Sequence, residues 1–181
     1  MSTPSLQSSL IRIWSKKPSD KSSRIVGAGF VVTPEHAVTC SHVINTALGR
    51  DEEDARFPEF SFFLDFLGAN CPLAEARVLH WFPICENSEI DDLEDIAILQ
   101  LSDPLPAGVF PVPVAVPNEQ FNQIRMCGFP SDVPNGTYLT GIVQGRTKKG
   151  WIELHPENNR TADPGFSGTA AWEMKQNAVC A

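Results

Sequence analysis

No run in the 181-residue sequence approaches the roughly 18 consecutive apolar residues that a membrane-spanning helix needs. The opening MSTPSLQSSL has neither the basic cluster nor the apolar stretch of a secretory signal. Basic charge is scarce as well: 14 Lys and Arg stand against 22 Asp and Glu, a net charge of −8. Such a surface has no positive field to draw in a phosphate backbone or anionic lipid, so neither nucleic acid nor a membrane is expected as a partner. The five cysteines, Cys40, Cys71, Cys85, Cys127 and Cys180, are odd in number, widely separated and free of any CxxC pair. That spacing supports neither a zinc site nor a disulfide framework, and no metal or other cofactor is expected. Reduced, mostly buried thiols in a cytoplasmic protein fit the pattern. Sustained helical periodicity is also missing.

What the chain carries instead is a series of short β-rich runs between turn signals, with 42% of its residues apolar, enough for a real core. The expected fold class is all-β. Candidate strands are Leu10–Trp14, Gly29–Thr33, Ala37–Cys40, Phe60–Leu67, Ala74–Trp81 and Ile96–Leu101, then Gln123–Gly128, Tyr138–Arg146, Trp151–His155, Thr169–Met174 and a last one near Ala178. In the fourth, Phe60, Phe62, Leu64 and Phe66 share one face, the period-2 pattern of a half-buried strand. Between the two groups DPLPAGVFPVPVAVPN places prolines at 104, 106, 111, 113 and 117, where neither helix nor central strand can persist. The chain therefore divides into a lobe over residues 1–102, a connector over 103–118 and a second lobe over 119–181. Two acidic stretches, Asp51–Asp54 and Glu86–Asp95, have the composition of solvated loops.

Three short motifs carry chemistry. In ADPGFSGTA, Pro164 and Gly165 bend the chain ahead of Ser167, which makes either a surface turn or an exposed nucleophile with neighbouring amides aimed at one point. A nucleophilic serine needs a base. In AVTCSHVI a short apolar strand runs into His42, with His36, His80 and His155 as competitors for the role. In LEDIAILQL, Asp95 stands at the mouth of an apolar strand, where a carboxylate can orient an imidazole; it is also one of several acids in its loop. The order is His, Asp, Ser, with the first two in one lobe and the serine in the other. A cleft between the lobes would bring them together.

These motifs resemble those of the trypsin-like serine proteases of chymotrypsin fold, in the style of compact bacterial members. Gly27-Ala28-Gly29-Phe30-Val31-Val32 with Val38-Thr39-Cys40-Ser41-His42-Val43 resembles the histidine motif, Asp95-Ile96-Ala97-Ile98-Leu99 the aspartate motif and Pro164-Gly165-Phe166-Ser167-Gly168 the serine motif. Cys127-Gly128-Phe129-Pro130 resembles a glycine–aromatic–proline turn of the second lobe. The resemblance implies two antiparallel six-stranded β-barrels and peptide-bond hydrolysis through an acyl-enzyme, on a protein or peptide substrate. Carried over by position, it implies Ser167 as nucleophile, His42 as general base, Asp95 as its orienter, the amides of Gly165 and Ser167 as oxyanion hole, and Thr161 at the base of the substrate pocket.

The departures are specific. Phe166 stands where digestive members have an aspartate that pairs with a freed N-terminus, so that switch is missing, and Ile25-Val26-Gly27 reads as strand. With Thr161 at the pocket base, no fixed negative charge favours Lys or Arg substrates. Only 14 residues follow Ser167, too few to close a second barrel, so that barrel is expected to be incomplete. By family analogy the chain is expected to be the effector domain of a larger protein with sensor or ATPase modules. A protease-like binding module without turnover is the alternative.

Overall fold

The computed structural model describes residues 5–67, 73–85, 93–115, 123–147, 151–157 and 161–180. After a one-turn helix, α1 (Leu6–Ser9), closed by a Ser5–Ser8 capping box, the chain enters β1 (Leu10–Trp14), β2 (Ile25–Val31) and β3 (His36–Thr39). A seven-residue helix, α2 (Ser41–Ala47), follows at once. Then come β4 (Phe62–Phe66), β5 (Ala74–Phe82) and β6 (Ile96–Leu101). Strict alternation sets which face is buried: Phe62, Leu64 and Phe66 of β4 and Ala97, Leu99 and Leu101 of β6 point inward. The six strands close in the order β1-β2-β3-β6-β5-β4, because β1 pairs antiparallel with both β2 (Ile11 opposite Gly29) and β4 (Ile11 opposite Phe66). Closure leaves this lobe without an unpaired edge. Ile11, Ile13, Val31, Val43, Ile44, Leu64 and Leu99, all fully buried, fill it.

The second lobe holds β7 (Val114–Ala115), β8 (Gln123–Gly128), β9 (Thr137–Arg146), β10 (Ile152–Pro156), β11 (Ala171–Glu173) and β12 (Ala178–Cys180). They form one sheet in the order β10-β9-β8-β11-β12-β7, which does not close; β10 and β7 are its edges. All pairs are antiparallel except β7 with β12. A second apolar cluster joins the lobes: Leu10, Ala28 and Phe30 of the barrel pack with Val112, Cys127, Phe129, Ala170, Trp172 and Val179. Among the described residues no helix is long and apolar enough to cross a membrane.

The all-β class with an incomplete second barrel is therefore observed, and several details differ from expectation. Phe60 lies outside β4 and is 73% exposed, so the inward face begins at Phe62. Ile25-Val26-Gly27 does open β2. Part of the Pro-rich connector is extended enough to form β7, at a sheet edge where proline is tolerated. Asp54 is not simply solvated, since Arg50 and Arg56 both bridge it, at 2.9 and 2.6 Å. Cys71 and residues 86–92 lie outside the described residues.

Candidate active site

Strand pairing creates the site. β3 and β6 run antiparallel with Thr39 opposite Ala97, so the residues that follow β3 and the one that precedes β6 emerge at the same end of the barrel. The first are Cys40, Ser41 and His42; the second is Asp95. His42 sits on the first turn of α2 rather than at a strand end, the position expected from its sequence. Asp95 adopts a left-handed backbone (φ 54°), uncommon for a residue with a side chain, and this turn delivers its carboxylate to the helix.

The carboxylate accepts three hydrogen bonds. Oδ2 accepts from His42 Nδ1 at 2.7 Å, while Oδ1 accepts from the His42 amide at 3.0 Å and from the Ser41 hydroxyl at 2.9 Å. An ionised carboxylate can only accept, so His42 carries a proton on Nδ1, and the neutral imidazole then has Nε2 free to accept. The Asp95 hydrogen bond, reinforced by the charges of Asp95 and Glu52, holds His42 above the ordinary imidazole range against the opposing effect of burial. Burial pushes Asp95 up, but the His42 side chain, the His42 amide, the imidazole charge and Ser41 together bring it below the ordinary carboxylate range. Neither His36, His80 nor His155 pairs with an acid among the described residues.

Cys40 lies in the same cluster. Burial first, then the Asp95 charge, push its thiol up to about 12. The Gly168 amide opposes part of that rise. A thiol so held is not a nucleophile at neutral pH.

Ser167 comes from the second lobe, and its loop is clamped to the first. The Ala28 amide of β2 donates to the Ser167 carbonyl at 2.8 Å. Gly168 (φ 78°) lies so close to the Ala28 carbonyl and Thr39 Oγ1 that a Cβ there would collide with both. Gly165 (φ 106°) is equally pressed on the Phe129 carbonyl, and the Phe129 amide donates back to the Gly165 carbonyl at 2.8 Å. Phe166 is buried against Gly128, anchoring the loop from below. The loop thus meets the first lobe at Ala28 and Thr39, the latter three residues ahead of His42. Among the described residues the Ser167 hydroxyl makes no hydrogen bond, including none to His42, and the amides of Gly165 and Ser167 have no partner.

Two hollows flank this loop. One, about 300 Å³, lies between the lobes and is lined by Arg24, Val26, Thr46, Phe129, Pro164 and Gly165, among others. The other, about 320 Å³, is bounded by Thr161, Asp163, Phe166, Asp132, Tyr138 and Leu139, with others. Thr161 therefore shares a wall with two carboxylates. Asp132 could not be placed from sequence because it lies 29 residues from Thr161, on a different turn. Ser41 was missed too, although a hydroxyl beside the histidine was its one signal.

Two β lobes, a closed barrel and an open sheet, with a histidine–carboxylate pair on one and a serine loop from the other, define the chymotrypsin-like fold. The profile of the trypsin-like peptidase domain matches residues 27–181, and the chain belongs to this family of peptidases. No curated protein matches it. Among solved structures it is similar to the serine endoprotease from Yersinia pestis, with a TM-score of 0.62 and 15% identity, covering 99% of this chain and 57% of that one. It is also similar to a protease from M. tuberculosis in its active form, with a TM-score of 0.60, 18% identity, and coverage of 96% of this chain and 68% of that one. The inactive form of the latter gives a TM-score of 0.60 at 17% identity, covering 96% and 75% of the two chains. At these identities the likeness is one of fold.

Proposed function

We propose that the chain is a serine endopeptidase domain in which Ser167, His42 and Asp95 act as a triad. His42 Nε2 takes the Ser167 proton as Oγ attacks the substrate carbonyl. The amides of Gly165 and Ser167 donate to the oxyanion that forms, and the imidazolium, stabilised by Asp95, then protonates the leaving amine. An acyl-enzyme remains on Ser167, and water, activated by the same histidine, releases it. Substrate is an extended stretch of protein chain in the groove between the lobes.

The observation that carries this reading is the His42 Nδ1 to Asp95 Oδ2 contact of 2.7 Å, with both remaining bonds to Asp95 coming from the same helix start. It fixes the tautomer a general base requires. A second reading, a protease-like binding module without turnover, is favoured by the Ser167 hydroxyl standing free of His42. Kinetics on an unstructured protein substrate separate the two. Ser167→Ala and His42→Ala should each lower kcat by a factor on the order of 10³ or more, and the double variant should lose little further, because triad members act as a unit. Additive losses, or no wild-type turnover to lose, favour the binding module.

A further inference from the structure

Three side chains bearing metal-ligand atoms converge where β3 meets α2: Cys40 Sγ, a His42 ring nitrogen and an Asp95 carboxylate oxygen all lie within 4.8 Å of one another. All three residues are half-buried. We propose that this cluster binds a divalent cation of the zinc class, and that the bound ion switches off the His42 base.

The donor set is thiolate, imidazole and carboxylate, the mixture zinc takes in tetrahedral sites, with the fourth position left for water. Bond lengths of about 2.0–2.3 Å place tetrahedral ligand atoms about 3.3–3.7 Å apart, so an edge near the 4.8 Å limit must contract and the 2.7 Å edge between His42 Nδ1 and Asp95 Oδ2 must open. Rotation of the His42 ring away from Oδ2 makes room for the ion between them. The surroundings already support each ligand. Asp95 Oδ1 is held by the Ser41 hydroxyl and the His42 amide, which leaves Oδ2 as the ligand oxygen. The Gly168 amide favours the ionised form of Cys40, against burial and the Asp95 charge. Such outer contacts fix ligand orientation in metal sites generally.

The consequence for chemistry follows from proton accounting. Before binding, Cys40 carries S–H, and His42 carries N–H on Nδ1 with Nε2 free to accept. The ion needs the lone pair of Nδ1, so the imidazole, still neutral, keeps its one proton on Nε2. The Cys40 proton is released to solvent, one proton per ion bound. An Nε2 that bears a hydrogen cannot take the serine's proton, and the Nδ1 bond to Asp95 is gone as well. This inhibitory half rests on the triad reading above; the binding half does not.

Cobalt titration of the full chain reads the binding directly, through thiolate-to-cobalt charge-transfer absorption. One equivalent should give that band in the wild type, zinc should displace it, and Cys40→Ala should lack it. Zinc should also suppress hydrolysis. In Cys40→Ala the concentration needed should rise on the order of 100-fold, since loss of mere supporting contacts already costs tens-fold in metal affinity. Cys40→Ser serves as a second variant if the alanine form melts early. Identical spectra for wild type and both folded variants would overturn the site. A Cys40-dependent band with zinc-insensitive hydrolysis would overturn the inhibition, and a Cys40-dependent band on a protein without turnover would keep the site and remove the triad.

Discussion

Asp95 is the residue on which the site turns. It is half-buried, in a left-handed conformation, and spends all three of its hydrogen bonds on the first two residues of α2. Asp95→Asn keeps the size and can keep those contacts, but its amide donates as well as accepts, so the imidazole is free to present the wrong tautomer. Such a variant should fold normally and lose on the order of 10⁴-fold in kcat, as the equivalent change does in a Ser-His-Asp triad. Unchanged kinetics would return Asp95 to the role of one more loop acid.

The same pair predicts two pH dependences. Only neutral imidazole accepts the serine proton, and Asp95 raises the His42 pKa, so activity should rise with pH through an apparent pKa above the ordinary value of about 6.5. A profile flat across that range contradicts a His42 base. For stability the signs are opposite for the two partners. The raised His42 pKa contributes stability fully present below about pH 6.5 and lost as pH rises through the folded-state value. The lowered Asp95 pKa contributes stability present above about pH 3.9 and lost as pH falls through the folded-state value. Thermal melts of His42→Ala against the wild type should therefore differ most between about pH 4 and 6.5 and draw together once the pH passes the raised His42 pKa. A gap that widens at alkaline pH would mean that the pair is not the source.

At the scale of elements, the site depends on one loop from the second lobe lying flat on two strands of the first. Gly168 is the closest point, in a left-handed conformation against the Ala28 carbonyl and Thr39 Oγ1. Gly168→Ala should cost about 1–2 kcal/mol from the backbone conformation alone. The added methyl must also push the loop off the barrel. We expect a lower Tm together with a fall in kcat larger than any change in KM, because the nucleophile moves relative to its base. A variant with normal kcat would show that Ser167 is positioned by other contacts.

Elements were legible where a single face was buried. The alternation in β4 marks it as a half-buried strand, and the apolar run Ile96–Leu101 coincides with β6. α2 was not legible because seven residues are too few for a 3.6-residue period to emerge, and Cys40 gives it no side-chain cap. Phe60 fits the strand pattern by type, yet only tertiary packing decides which end of an apolar run is covered. The metal-ligand cluster was invisible for a related reason. Cys40 and Asp95 are 55 residues apart, and only the pairing of β3 with β6 makes them neighbours.

At the scale of the whole molecule, the two lobes are unequal. The first is a closed barrel with a continuous core; the second is an open sheet whose β10 pairs on one side alone. Hydrogen exchange should reflect this. Amides of β3 and β6 should exchange only through opening of the whole protein, whereas those of β10 exchange by local opening. Equal protection in the two lobes would mean that the sheet edge is covered in solution. The open lobe also carries Ser167, which therefore rests on the lobe without a closed hydrogen-bond network and relies on the clamp to Ala28.

The triad as a unit is tested most directly by labelling the folded protein with an active-site fluorophosphonate and mapping the modified peptide. Reaction requires a serine activated by a working base, and needs no knowledge of the substrate. The predicted result is a single adduct on Ser167, abolished in Ser167→Ala and slowed by orders of magnitude in His42→Ala. A folded wild-type protein that takes no label at Ser167, or one that labels equally well without His42, would contradict it.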